Sequence, residues 1–512
     1  MKQIFRLAIR NLKEHKTKTI IISCFFIFGV AIVILGNSFL ESVNRGLEKD
    51  FRANYTGDLM ISMKPEKGTI YDIAGVNSTN ISGEIPQLPA LTDIEKINSI
   101  IEESSDIVLP TKQISAQVLI AKGGEFDLSA LAENDDIGLM DFPVSLLFGI
   151  EQETYWKTFP DINIKEGTFP AKGTNEILID TRTVRNFEKC YHESISLGDV
   201  VLVAGANTNG VLREGKICGI FTPPDENSAM FAIIYSEPGF ARSFADLTYG
   251  SSFKEELPDS VDLSISSFSE DDLFGSDEFD FGIDESNDIL GSTDTDFSDI
   301  LGDTTLRDEL NRTDDGAWNF IIAKAKNPRA SEKVIAELNQ KIKDAGIENV
   351  QIMNWKQGAF SYTQTVEGIG FIFNLLIIIL AVVVFIIIMN TMTVSVIERT
   401  GEIGTMRAIG AEKSFVRKLF FTESIFLTLV SSVAGIILAF ILMGIFNSLN
   451  IVITNEIAKM ILGGGLLKFS PTFTIILLTI IIAALGSILS NIYPVSSALK
   501  ITPLKALSKG SD

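Results

Sequence analysis

Histidine is nearly missing from this chain: there are two in 512 residues, alongside three cysteines. A zinc or haem centre needs several imidazole or thiolate donors in one place, and this sequence does not supply them. Cys24 falls inside a long apolar run, where a small apolar side chain serves as filler. Cys190 and Cys218 lie in the polar part of the chain, and the sequence leaves open whether they pair. Catalytic signatures are also lacking. There is no G-x-S-x-G elbow, no H-E-x-x-H and no nucleophile–base pair. The run from Gly210 through Gly215, Lys216 and Ile217 comes within one residue of a phosphate-binding loop. Ile217 stands where the magnesium-ligating hydroxyl belongs, and the flanking residues read as a β-hairpin with the glycines in its turn. Nothing marks the chain as an enzyme by itself.

Charge is missing from four long stretches, and this absence is the most informative. Residues 19–39, 368–389, 419–446 and 472–493 are each apolar through their centres. About 20 such residues cross roughly 30 Å of hydrocarbon. The expected fold class is a membrane protein with four transmembrane α-helices in a 1+3 layout. A large α+β extracytoplasmic domain, residues 40–367, separates helices 1 and 2. Lys2, Arg6, Arg10, Lys13, Lys16 and Lys18 precede the first span. Arg399, Arg407, Lys413, Arg417 and Lys418 lie between the second and third, and Lys500, Lys505 and Lys509 follow the fourth. The positive-inside bias puts these segments, and both termini, in the cytoplasm. The net charge of −22 divides accordingly: residues 41–367 hold 27 basic and 58 acidic side chains. The first span reads as an uncleaved signal-anchor, since its core exceeds the usual length of about 7–15 residues and no small-x-small site follows Phe39. Residues 1–18 read as a basic amphipathic helix on the cytoplasmic headgroups.

Between residues 41 and 254, short β-branched or alternating runs bounded by Gly, Pro, Asn or Asp predict strands at 58–63, 114–121, 176–179, 199–203 and 216–221. A helix is expected over 92–104, with Thr92 and Glu95 as a capping box. Residues 331–345 place Val334, Ile335, Leu338 and Ile342 on one helical stripe. With strand-like residues 319–323 before and 350–354 after, they form a β-α-β unit. Residues 255–315 differ from the rest, with 21 acidic side chains against Arg307 and Arg312. This acidic insertion is expected to be disordered. A docking tether and a carboxylate cation site are the alternatives, although its spacing does not fit an EF-hand loop.

The loop 390–418 joins the second span to the third, and its most patterned part is Glu398-Arg399-Thr-Gly-Glu402-Ile403-Gly404-Thr-Met406-Arg407-Ala408-Ile409-Gly410-Ala411. Charged and apolar residues alternate at helical spacing, and Gly410 supplies a stop. This run resembles the signature of the FtsX/MacB-type permeases, a family that includes the lipoprotein-releasing (Lol) permeases. Phe421-x-Glu423 at the start of the third span agrees with it. So does the tail, where Tyr493, Pro494, Ala498, Pro503, Leu504, Ala506 and Leu507 fall at the family's positions. Residues 166–220, with Glu166-Gly-Thr-Phe, Asn175-Glu176 and Leu197-Gly198-Asp199, are similar to its membrane-proximal core. The acidic insertion has no counterpart in the pattern.

The resemblance implies the permease subunit of an ABC transporter, with a separate cytoplasmic ATPase dimer beneath two permease chains, identical or homologous. No cofactor is implied for this chain, ATP being bound by the partner. Glu398, Arg399, Glu402 and Arg407 are expected to make the polar contacts of a coupling helix to the ATPase, Ile403, Met406 and Ile409 the apolar ones, and Gly410 to end it. The substrate class implied is a lipoprotein, peptide or lipophilic compound at a bacterial inner membrane, with an extracytoplasmic substrate protein as a partner and no nucleic acid. Two other readings stay open: a transducer that activates an extracytoplasmic cell-wall enzyme, and a membrane-anchored scaffold with no ATPase. Ser431, Gly435 and Ala439, four residues apart, offer the third span a close-packing face. Deleting residues 270–303 is expected to leave the chain's cooperative thermal melt intact, because a disordered insertion contributes no core; circular dichroism checks it.

Overall fold

The computed structural model describes residues 2–14, 16–78, 87–121, 144–206, 211–224, 231–248, 312–453 and 468–500. The expectations for the acidic insertion up to residue 311, for most of the loop 447–471 and for the tail beyond residue 500 lie outside the described residues.

α1 (Lys2–Glu14) precedes α2 (Lys16–Asn54), which leads directly into β1 (Leu59–Met63) and the hairpin β2 (Thr69–Asp72) and β3 (Gly75–Ser78). Then follow α3 (Ile94–Glu102), β4 (Ile107–Ala121), β5 (Val144–Ile150), α4 (Gln152–Thr158), β6 (Asn163–Gly167), β7 (Glu176–Asp180) and α5 (Thr181–Tyr191). β8 (Val200–Gly205), β9 (Leu212–Thr222), β10 (Ala232–Ser236) and α6 (Pro238–Phe244) come next. Beyond the acidic insertion are β11 (Phe320–Ala325), α7 (Ser331–Asp344), β12 (Val350–Asn354) and the single turn α8 (Trp355–Gly358). The chain closes with α9 (Phe360–Glu398), α10 (Thr400–Ala408), α11 (Lys413–Leu449) and α12 (Phe473–Lys500).

α2, α9, α11 and α12 are each long and apolar enough to cross a membrane. All four run beyond the expected spans, α2 and α9 furthest. α2 and α9 have 39 residues each, roughly 58 Å at 1.5 Å per residue. The apolar runs mark only the part suited to hydrocarbon. The helices continue because their outer turns are buried: Val43, Leu47, Phe51 and Tyr55 at the end of α2, and Tyr362 and Val366 at the start of α9, share one core with Met60, Phe148, Tyr235, Phe320 and Met353 of the sheet. Tertiary packing of this kind, more than propensity, sustains a helix.

The strands form two connected arrangements. β12, β1 and β11 lie in that order with β1 antiparallel to both neighbours. The anticipated β-α-β unit is therefore split, its two strands separated by β1. α7 covers them through Val334, Ile335, Leu338 and Ile342, beside Ile97 and Ile101 of α3. From β4 the pairing runs through β5, β10, β7 and β9 to β8, and β8 pairs back with β4. All six strands send side chains into one cluster, in which Val118, Leu147, Ile234, Ile177, Ile217 and Val203 come one from each. Closing the circuit leaves these strands no free edge between them.

Two expectations are corrected, and the pairing of Cys190 with Cys218, left open by the sequence, is answered. The Thr92–Glu95 capping box does not form: the helix starts one residue later, with Asp93 as N-cap in the left-handed region (φ 54°) and making no side-chain cap. Thr92 Oγ1 instead reaches Met63 Sδ at 3.6 Å. The hairpin near the phosphate-loop look-alike is present as β8–β9, but Gly215 is in β9 opposite Val201, not in the turn. Pairing with β8 extends the β9 ladder back to Leu212, opposite Ala204; Gly210 lies outside the described residues. Cys190 in α5 and Cys218 in β9 are both thiols and form no disulfide. Cys218 Sγ is occupied by the carbonyls of Ile177 at 3.3 Å and Thr168 at 3.4 Å, and burial pushes its thiol up to about 12. The apolar side of α1 also packs on protein: Ala8 is fully buried, Leu12 joins Ile22, Phe26, Met392 and Leu427, and Phe5 meets Phe426 edge-on at 5.1 Å.

The β2–β3 hairpin is not legible in the sequence, and it carries a buried carboxylate. Asp72 accepts from the Ser361 amide at 2.6 Å and from Ser361 Oγ, in the first turn of α9, and from the Ala74 amide at 3.0 Å. Burial outweighs these hydrogen bonds and pushes the carboxyl up from 3.8 to about 6. Folding therefore favours the protonated form. The Asp72 contribution is fully present below about pH 4 and is lost as pH rises through about 6. The stability difference between wild type and Asp72→Asn is expected to fall by about 2 kcal/mol from pH 4 to pH 7. Chemical denaturation followed by tryptophan fluorescence measures it, and a pH-independent difference would contradict it.

Candidate coupling helix

α9 and α10 are separated by one residue, Arg399 (φ −90°, ψ 10°), which is C-cap to the first helix and N-cap to the second. α10 ends at Ala408, and Gly410 takes φ 102°, a conformation glycine adopts without strain. There the Gly410 amide donates to Arg407 O at 3.1 Å and the Ala411 amide to Met406 O at 3.0 Å, satisfying carbonyls at the helix end. Glu402 in the first turn of α10 and Arg407 in the last are each on the side of the helix dipole that suits their charge.

A nine-residue helix has two sides, and the expected contact residues divide between them. Arg399 and Ile403, four apart, face inward. Ile403 is buried with Val396 of α9, Val416 and Phe420 of α11, and Val495 and Leu499 of α12. Arg399 is only 3% exposed. Glu402 and Ile409, seven apart, face outward with Glu398 and Gly410. Ile409 is 84% exposed and Ile397, just before the break, 61%. Met406 and Arg407 are half-buried, and Arg407 Nη1 donates to Leu499 O at 3.4 Å. Of the residues expected to contact a partner, Arg399 and Ile403 are buried within the chain. The reason is periodicity, since at 100° per residue positions 399 and 403 share the stripe that packs on α11 and α12.

Sequence reasoning does not find what Arg399 binds. Its Nη1 donates to both carboxylate oxygens of Glu423, at 3.2 and 3.1 Å, and its Nε to Glu402 Oε2 at 3.2 Å. The guanidinium carbon stands 4.9 Å from the centre of the Phe420 ring. Glu423 is buried on α11, 24 positions from Arg399. Higher on α11, Ser431, Gly435 and Ala439 are buried in the helix bundle. A Cβ on Gly435 would come within 2.8 Å of the Ile27 carbonyl and 3.0 Å of Val30 on α2, so the close approach needs glycine. Among the described residues no group of His, Cys, Asp and Glu is arranged to hold a metal ion.

Residues 374–503 match the model of the FtsX-like permease C-terminal family. Over 181 residues, 34% of its length, the chain is 28% identical to the ABC transporter permease YtrF of Bacillus subtilis (strain 168), covering 40% of that protein. Over 134 residues it is 31% identical to the macrolide export ATP-binding/permease protein MacB of Escherichia coli, which aligns with 25% of this chain and 20% of its own. The chain thus spans less than half the length of these curated relatives. The periplasmic region of MacB from Actinobacillus actinomycetemcomitans aligns with 63% of this chain and 97% of its own at 13% identity, with a TM-score of 0.28, too low to bear on the argument. The family match takes in α10 and both apolar helices that follow it, so residues 374–503 carry an FtsX-like permease C-terminal domain.

Proposed function

We propose that the chain is the membrane subunit through which a separate cytoplasmic ATPase dimer moves an extracytoplasmic domain. Two such chains, identical or homologous, would form the assembly, each crossing a bacterial inner membrane four times in the 1+3 layout with both termini in the cytoplasm. The work done would be extraction or export of a lipoprotein, peptide or lipophilic compound. The observation that carries this reading is the continuity of α9. It is one helix from Tyr362 and Val366, inside the core of the sheet domain, to Glu398, one residue short of α10. A displacement at α10 would reach the sheet without crossing a loop.

Two further observations support it. The centres of the four apolar helices carry no ionisable side chain of the kind that marks an ion or solute pathway. Between α2, α9 and α12 lies an apolar cavity of about 400 Å³ lined by Phe25, Val33, Ile378, Phe385, Ile482 and Gly486, which suits lipid-like chains better than polar solutes.

The outward side of α10 is the surface to test. In a purification of the tagged chain from its native membrane, mass spectrometry is expected to find an ABC ATPase in stoichiometric amount. Met406→Asp and Ile409→Asp are expected to lower its recovery at least about tenfold while leaving membrane insertion unchanged, because a charge then faces an apolar groove. Normal recovery with both variants would refute the assignment of α10. An ATPase accompanied by a cell-wall hydrolase would favour the transducer reading over transport.

A further inference from the structure

Arg399 occupies the one position where the otherwise continuous path from sheet domain to α10 is broken. An isolated one-residue break is a hinge, and apolar packing alone is a poor way to fix its angle because it is non-directional. Val396, Ile403, Val416, Phe420, Val495 and Leu499 hold α10 near α11 and α12, but a smooth apolar contact permits rolling. The polar contacts around Arg399 are directional. Its Nη1 spans both oxygens of Glu423 on α11, its Nε engages Glu402 on α10, and its plane lies near the Phe420 ring. The pair is nearly water-free, with side-chain exposures of 3% for Arg399 and 11% for Glu423, so bulk water screens it little.

We propose that Arg399 is a positioning residue: it clamps the α9–α10 hinge to α11 at Glu423, so that α10 transmits displacement to α9 and α11 together. α11 in turn packs on α2 through Gly435 and Val30, so both helices that enter the sheet domain are driven from one clamp. The functional meaning rests on α10 facing the ATPase, as proposed above; the clamp itself is a contact within this chain. Lysine cannot replace the arginine, because an ammonium lacks the planar fork that engages two carboxylates at fixed angles.

Hydrogen–deuterium exchange of the detergent-solubilised full chain tests the clamp without the ATPase. In Arg399→Lys and in Glu423→Gln, the amides of residues 403–407 are expected to exchange at least about tenfold faster, with α11 beyond Ser431 unchanged. Exchanging the charges, Arg399→Glu with Glu423→Arg, is expected to return the rate to within about threefold of wild type. With the ATPase bound, a nucleotide-dependent change in exchange at residues 360–366 is expected in wild type. It is expected to vanish in Arg399→Lys while the ATPase remains bound, which a merely structural role would not produce. Unchanged exchange over residues 403–407 in both single variants overturns the clamp, as does failure of the exchanged pair to recover while α11 stays protected. Absence of an ATPase from the wild-type preparation overturns the function proposed above, and the rates at residues 403–407 still decide the clamp.

Discussion

The aromatic core at the junction of α2 and α9 with the sheet domain is the contact on which the rest of the architecture depends. Phe51 and Tyr362, one from each helix, meet with tilted rings at 4.9 Å, and Tyr55, Phe148, Tyr155, Tyr235 and Phe320 complete a buried set with little or no exposure. Burying each such side chain contributes about 1.5–3 kcal/mol. Sliding either helix against the sheet would expose several at once. The two helices and the sheet are therefore held together at this end.

Rigidity in the sheet domain has its own origin. The ring of β4, β5, β10, β7, β9 and β8 is closed by hydrogen bonds, so no strand within it can peel away without breaking two ladders. A buried ion pair pins one corner: Asp180 caps α5 through the Arg182 amide at 2.7 Å and accepts from Arg182 Nη2 at 2.7 Å, while the same nitrogen reaches Phe231 O at 3.3 Å. Pairs of this kind are costly to bury and costlier to break. They favour one arrangement of the β7–α5 corner over its alternatives.

At membrane depth the fit is made by small residues. Gly435, Ser431 and Ala439 let α11 approach α2 to backbone distance, a packing mode that hydrocarbon, offering no hydrophobic drive between helices, favours. Below it, the apolar collar of α9–α12 and the Arg399–Glu423 pair join three helices around the start of α10. The same small segment thus presents Ile409 outward and spends Ile403 inward.

The four apolar helices, the amphipathic stripe of α7 and most strand positions were legible in the sequence, because hydrophobic periodicity is a local property that each segment carries alone. So was α10 as a patterned helix between two apolar ones, with Gly410 as its stop. The order β12–β1–β11, the closure of the ring through β8 and the burial of Asp72 under α9 were not, since each depends on partners tens to hundreds of residues away. Residues 398–410 show the boundary most clearly. The spacing of Glu398 to Gly410 determined that a helix with a charged and an apolar side would form there. Which side is buried was decided only when α11 brought Glu423 to Arg399, because the stability of a buried charge depends on the countercharge that the fold delivers to it, and no local pattern encodes that.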